Sequence, residues 1–69
     1  MLSVSYEVFY AVACHLSFSK AAEVLCISQP AVSKQIKKLE SLIEVPLFER
    51  QGNAIALTPQ GEKMLTYLR

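Results

Sequence analysis

The sequence contains few of the residues that carry enzyme chemistry. It has no aspartate, one histidine (His15) and two cysteines, Cys14 and Cys26, which eleven residues separate. Catalytic and metal-binding clusters need several such groups at matched spacing, and neither a CxxC pair nor a glycine-rich phosphate loop occurs. We therefore expect no enzyme activity, no metal and no cofactor in this domain, and we expect both thiols to be reduced and packed.

A long apolar run and a basic N-terminal leader are also missing. Apolar residues make up 52% of the chain, yet no uninterrupted run approaches the roughly 20 residues that a bilayer-spanning helix needs. The first ten residues include Glu7 and no basic cluster, unlike a secretory signal. We expect a soluble, cytoplasmic protein that has no membrane partner.

The chain has no large excess of positive charge. Its 69 residues carry 7 basic and 6 acidic side chains, for a net charge of +1, so composition alone does not predict nucleic-acid binding. Such a function depends on where the charges lie. The length suits one small domain, which buries only about 60% of its unfolded surface and would gain stability from a partner subunit.

Helical periodicity runs through the first part of the chain. Between residues 4 and 16, large side chains recur at the spacing of one buried helix face, at Tyr6, Phe9, Val12, Ala13 and Leu16. Ser17 and Ser19 can cap a second, short helix over residues 20–26. The small residues Ala21 and Ala22 would let another helix approach this one closely.

Residues 28–43 predict a third helix with two unlike faces. Ser28 is a good N-cap, and Pro30 is tolerated in the first turn, where backbone N–H donors are spare. The helix should end near Glu44, because Pro46 disfavours helical geometry in the residue before it. Its apolar stripe consists of Val32, Ile36, Leu39 and Ile43. Its opposite side carries Pro30, Lys34, Lys37 and Ser41, with Ser33 and Lys38 on the flanks.

The period changes after this helix. Residues 47–57 predict a short β-hairpin, since Gly52 and Asn53 suit the left-handed backbone angles of a tight turn. Thr58 and Pro59 are the N-cap and first residue of a fourth helix. We attribute the apolar residues of that helix, namely Met64, Leu65 and Leu68, to dimer pairing.

The predicted fold is mostly α. It is a winged helix-turn-helix with a three-helix core, a short β-hairpin wing and a fourth helix that serves as linker or dimerisation helix. We expect the winged domain to cover residues 1–58 and the linker helix to start within 59–69, in an N-terminal piece of a longer protein.

The third helix of such a fold can lie in the major groove of DNA. Gln29 and Ser33 carry uncharged donors and acceptors that can read base edges, whereas Gln35 lies nearer the buried side. Three lysines, Lys34, Lys37 and Lys38, suit phosphate oxygens. A solvated lysine face is the commoner explanation of such a pattern, and the helix-turn-helix context favours DNA. Arg50, on the wing, can reach a phosphate, although an ion pair with Glu49 or Glu44 is an equal alternative.

The segments "SFSKAAEVLCISQPAVSKQIKKLE", "VPLFER" and "LTPQGEKML" resemble, in order and spacing, the N-terminal domain of LysR-type transcriptional regulators. The resemblance implies a protein that binds promoter DNA as a homodimer or tetramer through the fourth helix, with a small-molecule effector on a separate C-terminal domain. It implies DNA contacts at Gln29, Pro30, Ser33, Lys34 and Arg50, and backbone contacts at Ser19 and Lys20.

The chain departs from that family at four positions. Glu44 stands where glycine is usual, which should cost about 1 kcal/mol if the residue is left-handed. The wing has Asn53 and Ala56 where arginine is common in the family. Lys34 stands where arginine is frequent, and lysine cannot make the two parallel hydrogen bonds that arginine makes to guanine. The near-neutral charge and the thin wing favour one alternative function, a winged-helix module for protein interaction or dimerisation without DNA binding.

Overall fold

The computed structural model describes residues 3–69 and contains four helices and one hairpin among them. The elements are α1 (Val4–His15), α2 (Phe18–Leu25), α3 (Gln29–Ile43), β1 (Phe48–Gln51), β2 (Ala54–Leu57) and α4 (Pro59–Leu68). The predicted winged helix-turn-helix, mostly α with a two-stranded antiparallel wing, is confirmed. Within the described residues, no helix is both long enough and apolar enough to cross a membrane.

The core lies where α1, α2 and α3 meet. Its most deeply buried side chains are Val8, Phe9, Val12, Ala21, Val32, Ile36, Leu39 and Leu47. Ala21 is 0% exposed and Ala22 is buried beside it, which confirms that small residues bring α2 close to its neighbours.

Two predictions about α1 and its surroundings are wrong. Leu16 was expected on the buried face, but it is the C-cap of α1, has a left-handed backbone (φ 50°) and is 46% exposed. Cys14 and Cys26 are free thiols as expected, yet both are exposed rather than packed. Leu16 is the left-handed C-cap of α1, and Cys26 is that of α2. The helical backbone ends at each of these residues, so their side chains no longer follow the buried face of the helix.

Hydroxyl caps begin each helix. The side chains of Ser3, Ser17, Ser28 and Thr58 each accept a hydrogen bond from the backbone N–H three residues later. These bonds satisfy N–H groups that have no partner inside the helix. The predicted caps Ser17, Ser28 and Thr58 are confirmed. Ser19 is not a cap, because α2 starts before it, at Phe18.

The segment between α3 and the wing is held at Leu47. Its side chain is 0% exposed, and its backbone N–H donates to the Glu40 carboxylate over 2.7 Å. Its carbonyl accepts the N–H of Thr58 over 3.0 Å, while the Thr58 hydroxyl donates to the Pro46 carbonyl over 2.7 Å. A side chain at Gly61 would collide with the Leu47 carbonyl oxygen, so only glycine lets α4 start this close. The wing is therefore fixed to α3 on one side and to α4 on the other.

The hairpin pairs Phe48 with Leu57 at its base and Gln51 with Ala54 at its tip. Gly52 alone takes the left-handed angle in the turn (φ 63°); Asn53, also expected there, has no positive φ. A glycine at the first central position is the pattern of a type II′ turn, which matches the twist of the strands.

The apolar side of α4 is only partly available to a second subunit. Met64, Leu65 and Leu68 are half-buried against the chain's own core, so they stabilise the single subunit, and their part in dimer pairing stays a prediction. Tyr67, in contrast, is 86% exposed.

Glu44 adopts the left-handed conformation (φ 60°) as the C-cap of α3. Replacing Glu44 by glycine should raise the free energy of unfolding by about 1 kcal/mol, because a Cβ is strained at this angle and glycine has none. Urea denaturation would measure the change. Glu44→Gln removes only the charge and should recover little of this gain, and Ser41→Gly, inside the helix, should lower stability. Equal effects of Glu44→Gly and Glu44→Gln would contradict the backbone explanation.

Candidate nucleic-acid interface

An open groove runs between the outer flank of α3, the start of α2 and the wing. Five of the predicted site residues line it: Ser19, Gln29, Ser33, Lys37 and Arg50. Three separate elements therefore supply one surface. Ser33 is half-buried, and the other four are exposed.

The remaining predicted residues lie outside the lining of this groove. Pro30, Lys34 and Lys38 follow one another at four-residue intervals along the outer side of α3, and all three are exposed. Lys20 is exposed in the first turn of α2. All the predicted lysines are exposed. On α3, Gln29 and Ser33 line the groove together with Lys37, and Lys34 and Lys38 lie outside it on the outer side of the helix.

The two glutamines of α3 have different surroundings. Gln29 lies at the start of the helix, where its Oε1 accepts a hydrogen bond from the Ser19 hydroxyl over 3.0 Å. Gln35 is half-buried, and its Oε1 accepts a hydrogen bond from the Ser5 hydroxyl of α1 over 2.8 Å. Gln35 thus joins α3 to α1, which agrees with its expected position near the buried side.

The cations near the groove are largely free of internal partners. Among residues 3–69 the only ion pair joins Lys20 to Glu23 over 3.9 Å, with both side chains well exposed. Such a pair contributes little, since water screens it. Arg50 makes no ion pair with Glu49 or Glu44, so that alternative is not seen.

Ten further residues that line the groove were not predicted as site residues, and two of them are acidic. Glu40, Glu49 and Asn53 line the same groove. Glu40 lies seven residues after Ser33 and three after Lys37, so helical spacing could have placed it on this face. Nothing in the sequence signals that Glu49 and Asn53 face α3, because that depends on how the wing is oriented.

The two helix N-termini at this surface, those of α2 and α3, have no acidic residue in their first turns. α1 and α4 carry Glu7 and Glu62 in their first turns, whereas α2 and α3 have no acidic side chain there. Helix N-termini carry partial positive charge, which an acidic first turn would offset. The starts of α2 and α3 therefore remain favourable to an anion such as phosphate.

Comparison with known proteins decides the family. Residues 4–62 match the family described as "Bacterial regulatory helix-turn-helix protein, lysR family". The chain belongs to this family. The HTH-type transcriptional regulator CbbR of Rhodospirillum rubrum is 51% identical over 63 residues, which cover 91% of this chain and 21% of CbbR. AmpR of Pseudomonas aeruginosa is 48% identical over 87% of this chain and 20% of its own length. The chain thus spans about a fifth of these relatives.

Solved LysR-family structures share the fold. A transcriptional regulator of the family from Eggerthella lenta superposes with a TM-score of 0.92 at 38% identity, covering 99% of this chain and 97% of that one. The DNA-binding domain of BenM, in complex with catB site 1 DNA, has a TM-score of 0.89 at 39% identity and covers 97% of this chain and 74% of its own.

Proposed function

We propose that this LysR-family chain binds double-stranded promoter DNA sequence-specifically and so regulates bacterial transcription, with α3 in the major groove. The observation that carries the proposal is the groove itself, in which Ser19, Gln29, Ser33, Lys37 and Arg50 converge from α2, α3 and the wing. The major groove admits one α-helix, and flanking elements then lie beside the phosphates. Similarity to the BenM domain, which was solved with DNA, supports the same use here.

Uncharged residues of this surface would contact bases, and its cations would contact phosphates. Gln29 and Ser33 have donors and acceptors that distinguish base edges, and Pro30 offers an apolar contact beside them. The cations contact phosphates: Lys34, Lys37 and Lys38 from α3, Lys20 from α2 and Arg50 from the wing. The N-termini of α2 and α3, which have no acidic residue in their first turns, add backbone N–H groups as further donors to phosphate.

We further propose a homodimer, or a tetramer built from dimers, that pairs through α4. A second shallow groove, lined mainly by apolar side chains that include Tyr6, Ile43, Met64 and Tyr67, adjoins this helix. Leu42, 73% exposed, lies on α3 next to Ile43. Two copies would place two α3 helices on half-sites separated by one helical turn or a multiple of it. A small-molecule effector domain is expected only in the longer protein.

The salt dependence of DNA binding tests the phosphate contacts. If Lys34, Lys37, Lys38 and Arg50 each neutralise one phosphate, log affinity should fall with log salt with a slope of about −3 to −4 per half-site, and a phosphate contact of Lys20 would add about −0.9 to it. Lys37→Ala should reduce the slope by about 0.9 and weaken all duplexes alike. Filter binding to random duplex DNA at several salt concentrations measures both quantities. Arg69→Ala, which removes an exposed cation after α4 that lines neither groove, is the control. A slope near zero in the wild type would favour the protein-interaction alternative.

Ser33→Ala tests base reading separately. It should weaken binding to the preferred duplex by about 1 to 3 kcal/mol and relax sequence preference, while binding to random duplex stays unchanged. Competition titrations with a duplex selected from a random pool give both affinities. Ser41→Ala, an exposed serine later in α3, should change neither. Equal losses on selected and random DNA would assign Ser33 to the phosphate backbone instead.

Tyr67→Ser tests the pairing surface. An aromatic side chain that becomes buried on association contributes enough that its loss should weaken dimerisation about 10-fold or more. Sedimentation equilibrium of the chain measures the dimer dissociation constant. Tyr10→Ser, on the outer side of α1, removes a partly exposed tyrosine elsewhere and should leave the constant unchanged. A dimer insensitive to Tyr67→Ser would place the interface on another surface.

A further inference from the structure

Ser19 and Gln29 are held opposite each other by the helix-turn-helix core. Ser19 lies in the first turn of α2, after the N-cap Ser17, and Gln29 is the first residue of α3. The buried alanines of α2 fix how closely the two helices approach, and the intervening turn is closed by the bond from the Ile27 N–H to the Ala22 carbonyl. Their contact therefore joins two rigid helix ends.

The hydrogen bond between them has a direction. The Ser19 hydroxyl donates to Oε1 of Gln29 over 3.0 Å. Among residues 3–69, the Nε2 amino group of Gln29 donates to no side chain or carbonyl. Because the oxygen and the amino group of an amide lie on opposite sides of its carbon, a hydroxyl bonded at Oε1 leaves the amino group on the side away from Ser19. Gln29 itself lines the open groove.

We infer that Ser19 is a positioning residue that sets the base preference of Gln29, beyond any phosphate contact of its own. With its oxygen directed at Ser19, Gln29 presents N–H donors. In the major groove these match acceptors, namely guanine O6 and N7, thymine O4 or adenine N7, and they oppose the amino group of cytosine. A free glutamine could reverse its amide and accept from an amino group. This inference rests on the proposed function, since it requires that Gln29 faces a base.

The alternative is that Ser19 only touches the DNA backbone. A backbone contact is blind to sequence, so losing it would lower all affinities by one factor. A positioning role predicts instead a change at one base pair. The two roles therefore differ in a pattern that overall affinity does not report.

The experiment compares wild type, Ser19→Ala, Ser19→Thr and Gln29→Ala on a duplex selected by the wild-type chain from a random pool, with every base pair replaced in turn. The base pair whose preference Gln29→Ala abolishes is the one that Gln29 reads. At that pair the wild type should favour an acceptor-bearing edge over cytosine by about 10-fold. Ser19→Ala should remove most of this discrimination and leave preferences at other pairs intact, and Ser19→Thr, which keeps the hydroxyl, should restore it.

Several outcomes would overturn the inference. A uniform loss in Ser19→Ala would make Ser19 a backbone contact. A wild-type preference for cytosine, whose major-groove edge carries an amino donor and no acceptor, would mean that the amide is reversed. If Gln29→Ala changed no base preference, the base-reading part of the proposed function would fail as well. If Gln29→Ala changed the base preference and Ser19→Ala did not, this inference would be wrong while the proposed function would stand. Melting temperatures of all variants check that the fold is intact.

Discussion

The orientation of the wing depends on how the backbone is bonded at Leu47. The Glu40 carboxylate of α3 accepts its N–H, and the N–H of Thr58, the cap of α4, donates to its carbonyl. Both groups lie beside a fully buried side chain, where losing a partner would cost about 1 to 3 kcal/mol. Because β1 begins at the next residue, the direction in which the hairpin leaves the core is determined at this point.

A two-stranded hairpin is only marginally stable by itself, so the wing needs this support. Phe48 adds to it, with its ring 5.5 Å from Phe9 and 5.8 Å from Phe18 between ring centres. The base of the wing is thereby packed on α1 and α2 as well as bonded to α3. Arg50, two residues further along the same strand, is consequently held across the groove from α3 while its own side chain remains exposed.

Local signals in the sequence were sufficient for the elements and for the outward face of α3. The stripe of Val32, Ile36 and Leu39 is buried as expected, because helical period and hydrophobic burial select the same residues. Three of the four hydroxyl caps, Ser17, Ser28 and Thr58, were also identified from the sequence, since their bonds reach only three residues along the chain. Leu16 was misjudged because apolar spacing alone does not show where a left-handed residue ends the helix.

The contacts that shape the groove could not be predicted from local sequence signals, because they join residues of different elements. Ser19 and Gln29 are ten residues apart on different helices, and Glu49 and Asn53 face the groove only through the attachment of the wing. The half-burial of Met64 and Leu65 likewise depends on α4 packing against α1 and β2, which periodicity cannot distinguish from packing against a second subunit. Tertiary arrangement decides each of these cases.

The charges of the groove bear on how the proposed DNA recognition divides between affinity and specificity. Lys37 and Arg50 share the groove with two carboxylates, Glu40 and Glu49, and the Glu40 carboxylate is already bonded to the Leu47 N–H. Glu49 has no such partner among the described residues, so it opposes phosphate close to Arg50. Non-specific DNA binding comes almost entirely from cations on phosphates, and this surface has few in excess. A larger share of the binding free energy must therefore come from correctly oriented uncharged groups that contact bases. A rigid pair of helices with a hydrogen-bonded glutamine provides that orientation.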